Sequence, residues 1–187
     1  MAEKRKNWNG LISGFKASDL VFLDESGCNT DMTRRYAYSL GGSRAVDSAP
    51  LSKPRNTTIL SSSQLDGTLR YTTFSGGTTV ERFKRYLETD LLPHLNGNSV
   101  LVMDNMKSHH AKAVKELLDS SGIRYIYLPP YNPDLNPIEK LWSKVKAFLR
   151  KFKARTLDTL PDAIQHAFQN VSPSDCSGWF KFCDYLH

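Results

Sequence analysis

Two wholly apolar runs, Leu20-Val21-Phe22-Leu23 and Val100-Leu101-Val102-Met103, each stop at an aspartate, Asp24 and Asp104. Short runs with no polar face read as strands buried on both sides, which calls for a sheet with helices above and below it. If the two strands are neighbours, their aspartates leave the sheet side by side. Adjacent buried carboxylates repel strongly unless a proton or a cation lies between them. Each aspartate taken alone also reads as a turn former at a strand end, and Asp104 as a cap leading into the next helix. Glu25 follows Asp24 and points to the opposite face if its strand continues, so it is the weaker candidate ligand.

The rest of the chain supplies the covering layers. Thr57–Ser63 and Leu69–Phe74 read as strands joined at Asp66-Gly67, a hairpin signal. Arg35–Leu40 reads as a further strand closing on Gly41-Gly42, and residues 25–33 as a loop. Val80, Phe83, Leu87 and Leu91 recur at helical spacing over Thr78–Leu92, and Pro93 stops that helix. Ser108–Ser120 is a helix ended by Gly122, and Tyr125–Leu128 a strand stopped by Pro129-Pro130. Pro137–Phe152 carries Ile138, Leu141, Trp142, Val145, Leu149 and Phe152 as an apolar stripe, so Trp142 is assigned to the core. Leu157–Asn170 is the last clear helix, and the pattern beyond Ser172 is mixed. Early hairpins followed by alternating elements predict an α/β fold, a mixed sheet with helices on both sides.

A third acid, Glu139, opens the long helix. Asn136 as N-cap, Pro137 at the first helical position and Glu139 three residues after the cap match a capping box, which would bend Glu139 back onto its own backbone. The competing role is to reach across to the two aspartates. Three carboxylates from separate elements suit hard cations. Magnesium takes oxygen ligands, and two such ions about 4 Å apart can serve an in-line displacement at a phosphodiester. The three cysteines, Cys28, Cys176 and Cys183, match no zinc spacing. His109 and His110 follow Asp104 closely. They read either as surface histidines at a helix start or as groups that orient a ligand or move a proton.

Charge points the same way. The 187-residue chain carries a net +6 with a pI near 9.2. Residues 138–155 alone hold seven basic residues and one acid, an excess equal to that of the whole chain. Lys140, Lys144, Lys146, Arg150 and Lys151 are either the solvated face of an amphipathic helix or a surface for a phosphate backbone, which would relieve their mutual repulsion. No run of about 18 apolar residues exists, which excludes a membrane-spanning helix, and the polar, basic Met1–Gly10 is not a secretory signal. One domain is expected for this length.

The stretch Leu128-Pro129-Pro130-Tyr131-Asn132-Pro133-Asp134-Leu135-Asn136-Pro137-Ile138-Glu139 resembles the signature around the third acid of the mariner-like transposase superfamily, nearest to its bacterial insertion-sequence branch. Val102-Met103-Asp104-Asn105 with His109 resembles the second acid motif, and Phe22-Leu23-Asp24-Glu25-Ser26-Gly27 the first. The 34 residues between Asp104 and Glu139 match the spacing of that branch. The resemblance runs from about Leu20 to Tyr185.

The resemblance implies an RNase H-like fold with a five-stranded mixed sheet flanked by helices. It implies that Asp24, Asp104 and Glu139 form a DDE triad holding Mg2+ or Mn2+, two ions in all, with Asn105 and His109 in support behind it. It further implies cleavage at transposon ends and strand transfer into target DNA, by a bacterial, cytoplasmic protein associated with the nucleoid while it acts. The chain departs from the pattern at Leu40-Gly41, where a proline and a basic residue are expected. About twenty residues precede the first acid, so residues 1–18 read as a tail or linker remnant, residues 19–187 as the catalytic domain, and no helix-turn-helix domain is expected before it. A separately encoded helix-turn-helix protein and a homodimer are the implied partners beside DNA. An inactive remnant that only binds DNA, or another RNase H-like nuclease, stays open as an alternative.

Overall fold

Strand β1 (Leu20–Asn29) lies in the middle of the sheet because its first four residues are apolar on both faces. Leu20 and Phe22 enter one packed layer, and Val21 and Leu23 the other. The computed structural model describes residues 2–34, 36–48, 54–130 and 132–186. Strands β2 (Asn56–Gln64), β3 (Leu69–Ser75), β4 (Val100–Met103) and β5 (Arg124–Tyr127) complete one sheet in the order β3-β2-β1-β4-β5. β1 is antiparallel to β2 and parallel to β4, and β4 is parallel to β5. This is the expected mixed five-stranded sheet.

Helices α2 (Val80–Tyr86) and α3 (Lys112–Ser121) cover one face with Phe83, Tyr86, Val114 and Leu118. Thr79 caps α2 by accepting the Arg82 N–H, and the helix widens by one residue per turn over Leu87–Leu91 before Pro93 ends it. Helices α4 (Ile138–Phe152), α5 (Leu160–Gln169) and α6 (Pro173–Phe182) cover the other face with Leu141, Trp142, Ile164 and Phe180. Each fully buried large side chain contributes about 1.5–3 kcal/mol, so the two layers hold the sheet from both sides. Among the described residues no helix is long and apolar enough to cross a membrane.

Several local expectations are corrected. β1 does not stop at Asp24. Residues Glu25–Asn29 continue the ladder opposite Leu60–Asn56, because β2 is long enough to keep supplying partners after β4 has ended. Residues 25–29 are therefore strand and not loop. The strand expected over Arg35–Leu40 is absent from residues 36–39, while Arg35 lies outside the described residues. Both edges of β1 are already taken by β2 and β4, and Tyr36 and Tyr38 are 91% and 106% exposed, so their alternation has no layer to enter. Residues 2–12 form helix α1 (Ala2–Ile12), and its Trp8 is buried in the layer of α4. The chain end left unread is α6, started by a reciprocal cap between Ser172 and Asp175.

The hairpin turn brings the far end of the sheet against α6. Gly67 has φ +89°, and a Cβ there would lie 2.9 Å from the Pro173 Cα. Gly67→Ala combines left-handed backbone strain with that clash, so it should destabilise the fold by about 1–3 kcal/mol. Thermal unfolding followed by circular dichroism checks this, and an unchanged melting temperature would refute it.

Candidate active site

In the parallel pair, Leu23 opposes Met103, so Asp24 and Asp104 are the next residues on neighbouring chains at the same edge. Asp24 sits on the α4 side and is 7% exposed. Its Oδ1 accepts the Glu25 N–H at 2.7 Å, and its Oδ2 accepts from Asn136 Nδ2 at 3.4 Å and from the Trp142 indole N–H at 3.3 Å. Burial pushes its pKa up to about 7. The Glu25 amide opposes the rise, and the nearby charges of Asp104 and Glu139 add to it.

Asp104 is more open and behaves in the opposite way. Burial acts to raise its pKa, but the His109 hydrogen bond, the Met106 amide and the charge of His109 outweigh it, and the net shift is downward. His109 Nδ1 lies 2.8 Å from Asp104 Oδ1, which also accepts the Met106 N–H at 3.0 Å. The His109 ring is fully buried and stacks on Phe83 with centroids 4.2 Å apart. Its Nε2 faces Glu25 Oε2 at 3.3 Å. Burial lowers the His109 pKa, but hydrogen bonds and charge from Asp104 and Glu25 prevail and lift it to about 9. Both ring nitrogens therefore donate, one to each carboxylate. Asn105 is turned away from the acids. Its amide donates to the Leu128 carbonyl and its oxygen meets His110 Nε2 at 3.3 Å, tying the end of β4 to the end of β5.

The capping box expected around Glu139 is not formed. Asn136 does not cap the helix with its side chain, which is committed to Asp24. Glu139 and Trp142 lie three residues apart and share a face of α4, and Asn136 sits just before the helix in extended backbone, so the start of α4 and the residue leading into it bring two donors and a carboxylate to β1. Asp24, Asp104 and Glu139 line one cleft of about 560 Å³, together with Asn105, Asn132 and Asn136. Tyr131 of the proline-rich stretch lies outside the described residues.

Among the described residues no three of His, Cys, Asp and Glu close on a single ion. The donor set nevertheless suits hard divalent cations. It is all oxygen, its buried member is strained by the charge of the other two, and a cation in the cleft would remove that strain.

Three contributors escaped the sequence reading. Trp142 does belong to the core stripe, yet its N–H serves Asp24. Asn136 holds Asp24 instead of capping. Glu25, the weaker candidate, faces the α2–α3 layer and meets His109. The three-residue spacing of Glu139 and Trp142 was the available signal for the first.

The five basic residues of α4 divide. Lys140 Nζ lies 3.7 Å above the Phe182 ring, and Lys144 Nζ is 2.5 Å from Asp175 Oδ2, so both tie α4 to α6. Lys146 and Arg150 line a separate cleft beside residues 27–33, and Lys151 is exposed.

A sheet of this order with an acid-lined cleft at the middle of β1 and the end of β4 defines an RNase H-like catalytic domain. The model of the DDE superfamily endonuclease family matches residues 19–161, and the chain belongs to that family. The Tcb2 transposase of Caenorhabditis briggsae is 32% identical over 75 residues, which are 40% of this chain and 28% of that protein. A pre-cleavage transpososome of Mos1, from Drosophila, superposes with a TM-score of 0.82 at 20% identity over 98% of this chain and 59% of the Mos1 chain. The Mos1 catalytic domain with raltegravir and Mg gives 0.69 at 18% identity, covering 98% and 90%. The chain thus spans 28% of the Tcb2 protein and 59% of the Mos1 transpososome chain, less than two thirds of either. These findings correct one expectation: the matching relatives belong to eukaryotic mariner and Tc1 elements, not to the bacterial insertion-sequence branch, and the bacterial setting falls with it.

The two raised pKa values fix a pH dependence. Asp24 keeps a proton up to about pH 7 in the fold and ordinarily loses it near 3.8, and His109 keeps one up to about 9 against an ordinary 6.5. In both windows the folded chain binds the extra proton, so stability is lost as pH rises through the folded values. In EDTA the melting temperature should fall between pH 6 and pH 9, and Mg2+ should recover it at pH 8 by favouring ionised Asp24. Differential scanning calorimetry reads this, and a melting temperature rising with pH in EDTA would contradict it.

Proposed function

We propose that this chain is the catalytic domain of a mariner/Tc1-type transposase, which cuts DNA at the ends of a mobile element and joins the freed 3′-hydroxyl to target DNA. The observation that carries this reading is the convergence of Asp24, Asp104 and Glu139 on one cleft in a family of endonucleases. Asp24, Asp104 and Glu139 would hold Mg2+ or Mn2+ ions, two in all. The Mos1 structures with Mg and with Mn support that choice of ion. When bound, the two ions supply Lewis-acid activation of the attacking oxygen and charge stabilisation of the leaving one.

The chain's own residues prepare the cleft. Trp142 from α4 and Asn136 from the segment before it orient Asp24. His109 commits Asp104 Oδ1 and thereby directs Oδ2 outward. Asn105 steadies the segment that carries Asp104 from below. DNA is the partner, both as element ends and as target. End recognition by a helix-turn-helix module and pairing of two copies belong to the same proposal, and they rest on the assembly of such transposases rather than on residues 19–187.

Asp104→Asn should lower metal-dependent nicking of supercoiled plasmid by at least about a thousandfold, the several kcal/mol such ions provide, with the circular dichroism spectrum unchanged. Full activity in that variant would remove the triad assignment. Joined products with a 3′-end donor oligonucleotide separate a transposase from another RNase H-like nuclease. His109→Asn should weaken metal dependence by about 10- to 100-fold, with partial recovery at high Mn2+. A response equal to wild type across a Mn2+ titration would show that His109 is only packing.

A further inference from the structure

The basic helix is not one charged face but two stripes. At about 100° per residue, Lys146 and Arg150 fall within about 20° of Glu139 around α4, whereas Lys140, Lys144 and Lys151 lie about 100–140° away. The second stripe turns toward α6, where Lys140 covers the Phe182 ring and Lys144 pairs with Asp175. The first stripe turns toward β1. Lys146 and Arg150 line a cleft of about 340 Å³ with Gly27, Cys28, Asn29, Asp31, Met32 and Thr33. Neither cation has an ion-pair partner among the described residues. Lys146 is close enough to Cys28 to pull against the burial that pushes its thiol up to about 11.

This cleft lies next to the catalytic one along β1. Asp24, Glu25 and Ser26 line the first, and the next three residues of the same strand line the second. The same α4 stripe runs along both, from Glu139 to Arg150. Gly27 is exposed at this cleft, and a Cβ there would meet nothing within 4 Å.

We propose that the cleft between the distal half of β1 and the Lys146–Arg150 stripe is a subsite for the phosphodiester backbone flanking the reacting phosphate. Lys146 and Arg150 each take one phosphate there, while Lys140 and Lys144 are structural. The proposal rests on the DNA-cutting reading above. Along α4 the two cations lie about 10 Å and about 16 Å from Glu139. At about 3.4 Å per nucleotide along a duplex, that corresponds to phosphates about three and about five nucleotides away. Asp31 lines the same cleft, and its negative charge opposes a phosphate there.

The test uses the whole chain and a 20-base-pair duplex of arbitrary sequence, with binding followed by fluorescence anisotropy from low to moderate KCl. Lys146→Gln and Arg150→Gln should each reduce the slope of log K against log salt by about one. Lys140→Gln should leave the slope unchanged, and Asp31→Asn should tighten binding several-fold, a gain that misfolding cannot mimic. In plasmid nicking, Lys146→Gln should raise KM and leave kcat in place. Unchanged slopes in both cleft variants, with wild-type binding intact, would overturn the subsite and leave the DNA-cutting reading standing. An equal loss of slope in Lys140→Gln would overturn the division into two stripes. No salt-dependent binding by the wild-type chain would overturn both the subsite and the reading beneath it.

Discussion

Where β1 and β4 lie parallel, Leu23 faces Met103 and the next residue on each chain is an aspartate. The pairing is held by apolar side chains on both faces of both strands. A slip of one residue would send every one of them to the opposite layer. That penalty locks the register, and the register sets Asp24 and Asp104 at the same edge. The rest of the site is assembled on this pair: α4 arrives from one layer with Glu139, and His109 sits in the other.

The fold then treats the two aspartates differently. Asp24 is enclosed under Trp142 and Asn136 and resists ionisation, whereas Asp104 is kept charged by His109 and the Met106 amide. Neighbouring carboxylates with pKa values pushed apart are a common device of sites that handle charge. The cost is borne by the metal-free protein, which carries a buried acid with two acidic neighbours. Glu25, on the far face of β1, balances His109 from the other side. The imidazole therefore bridges the two strands between acids rather than lying free at a helix start.

Helix α4 joins structure to chemistry at three levels. Its apolar stripe fills the core, one flank fastens α6 through Lys140 and Lys144, and the other flank carries Glu139, Lys146 and Arg150 past β1. A basic helix read only by its total charge conceals this division. Ion pairs and cation–π contacts to α6 are decided by side chains about thirty to forty residues further along the chain.

The sequence by itself determined the two buried strands, the hairpin, most of the helices and the three acids, because these follow from local periodicity, turn chemistry and a long proline-rich motif. It left β1 too short, since a strand's length depends on how long its neighbour continues. It placed a strand near residues 36–39, where alternation exists but both edges of β1 are already paired. It could not say whether Asn136 caps the long helix, because that depended on whether its side chain turned to its own helix or to Asp24. Only the tertiary structure decided that, along with Trp142 as donor to Asp24, the Glu25–His109 contact and the two-sided charge of α4. Each of these is a contact between residues far apart in the chain, and its geometry is set by packing of layers rather than by any local pattern.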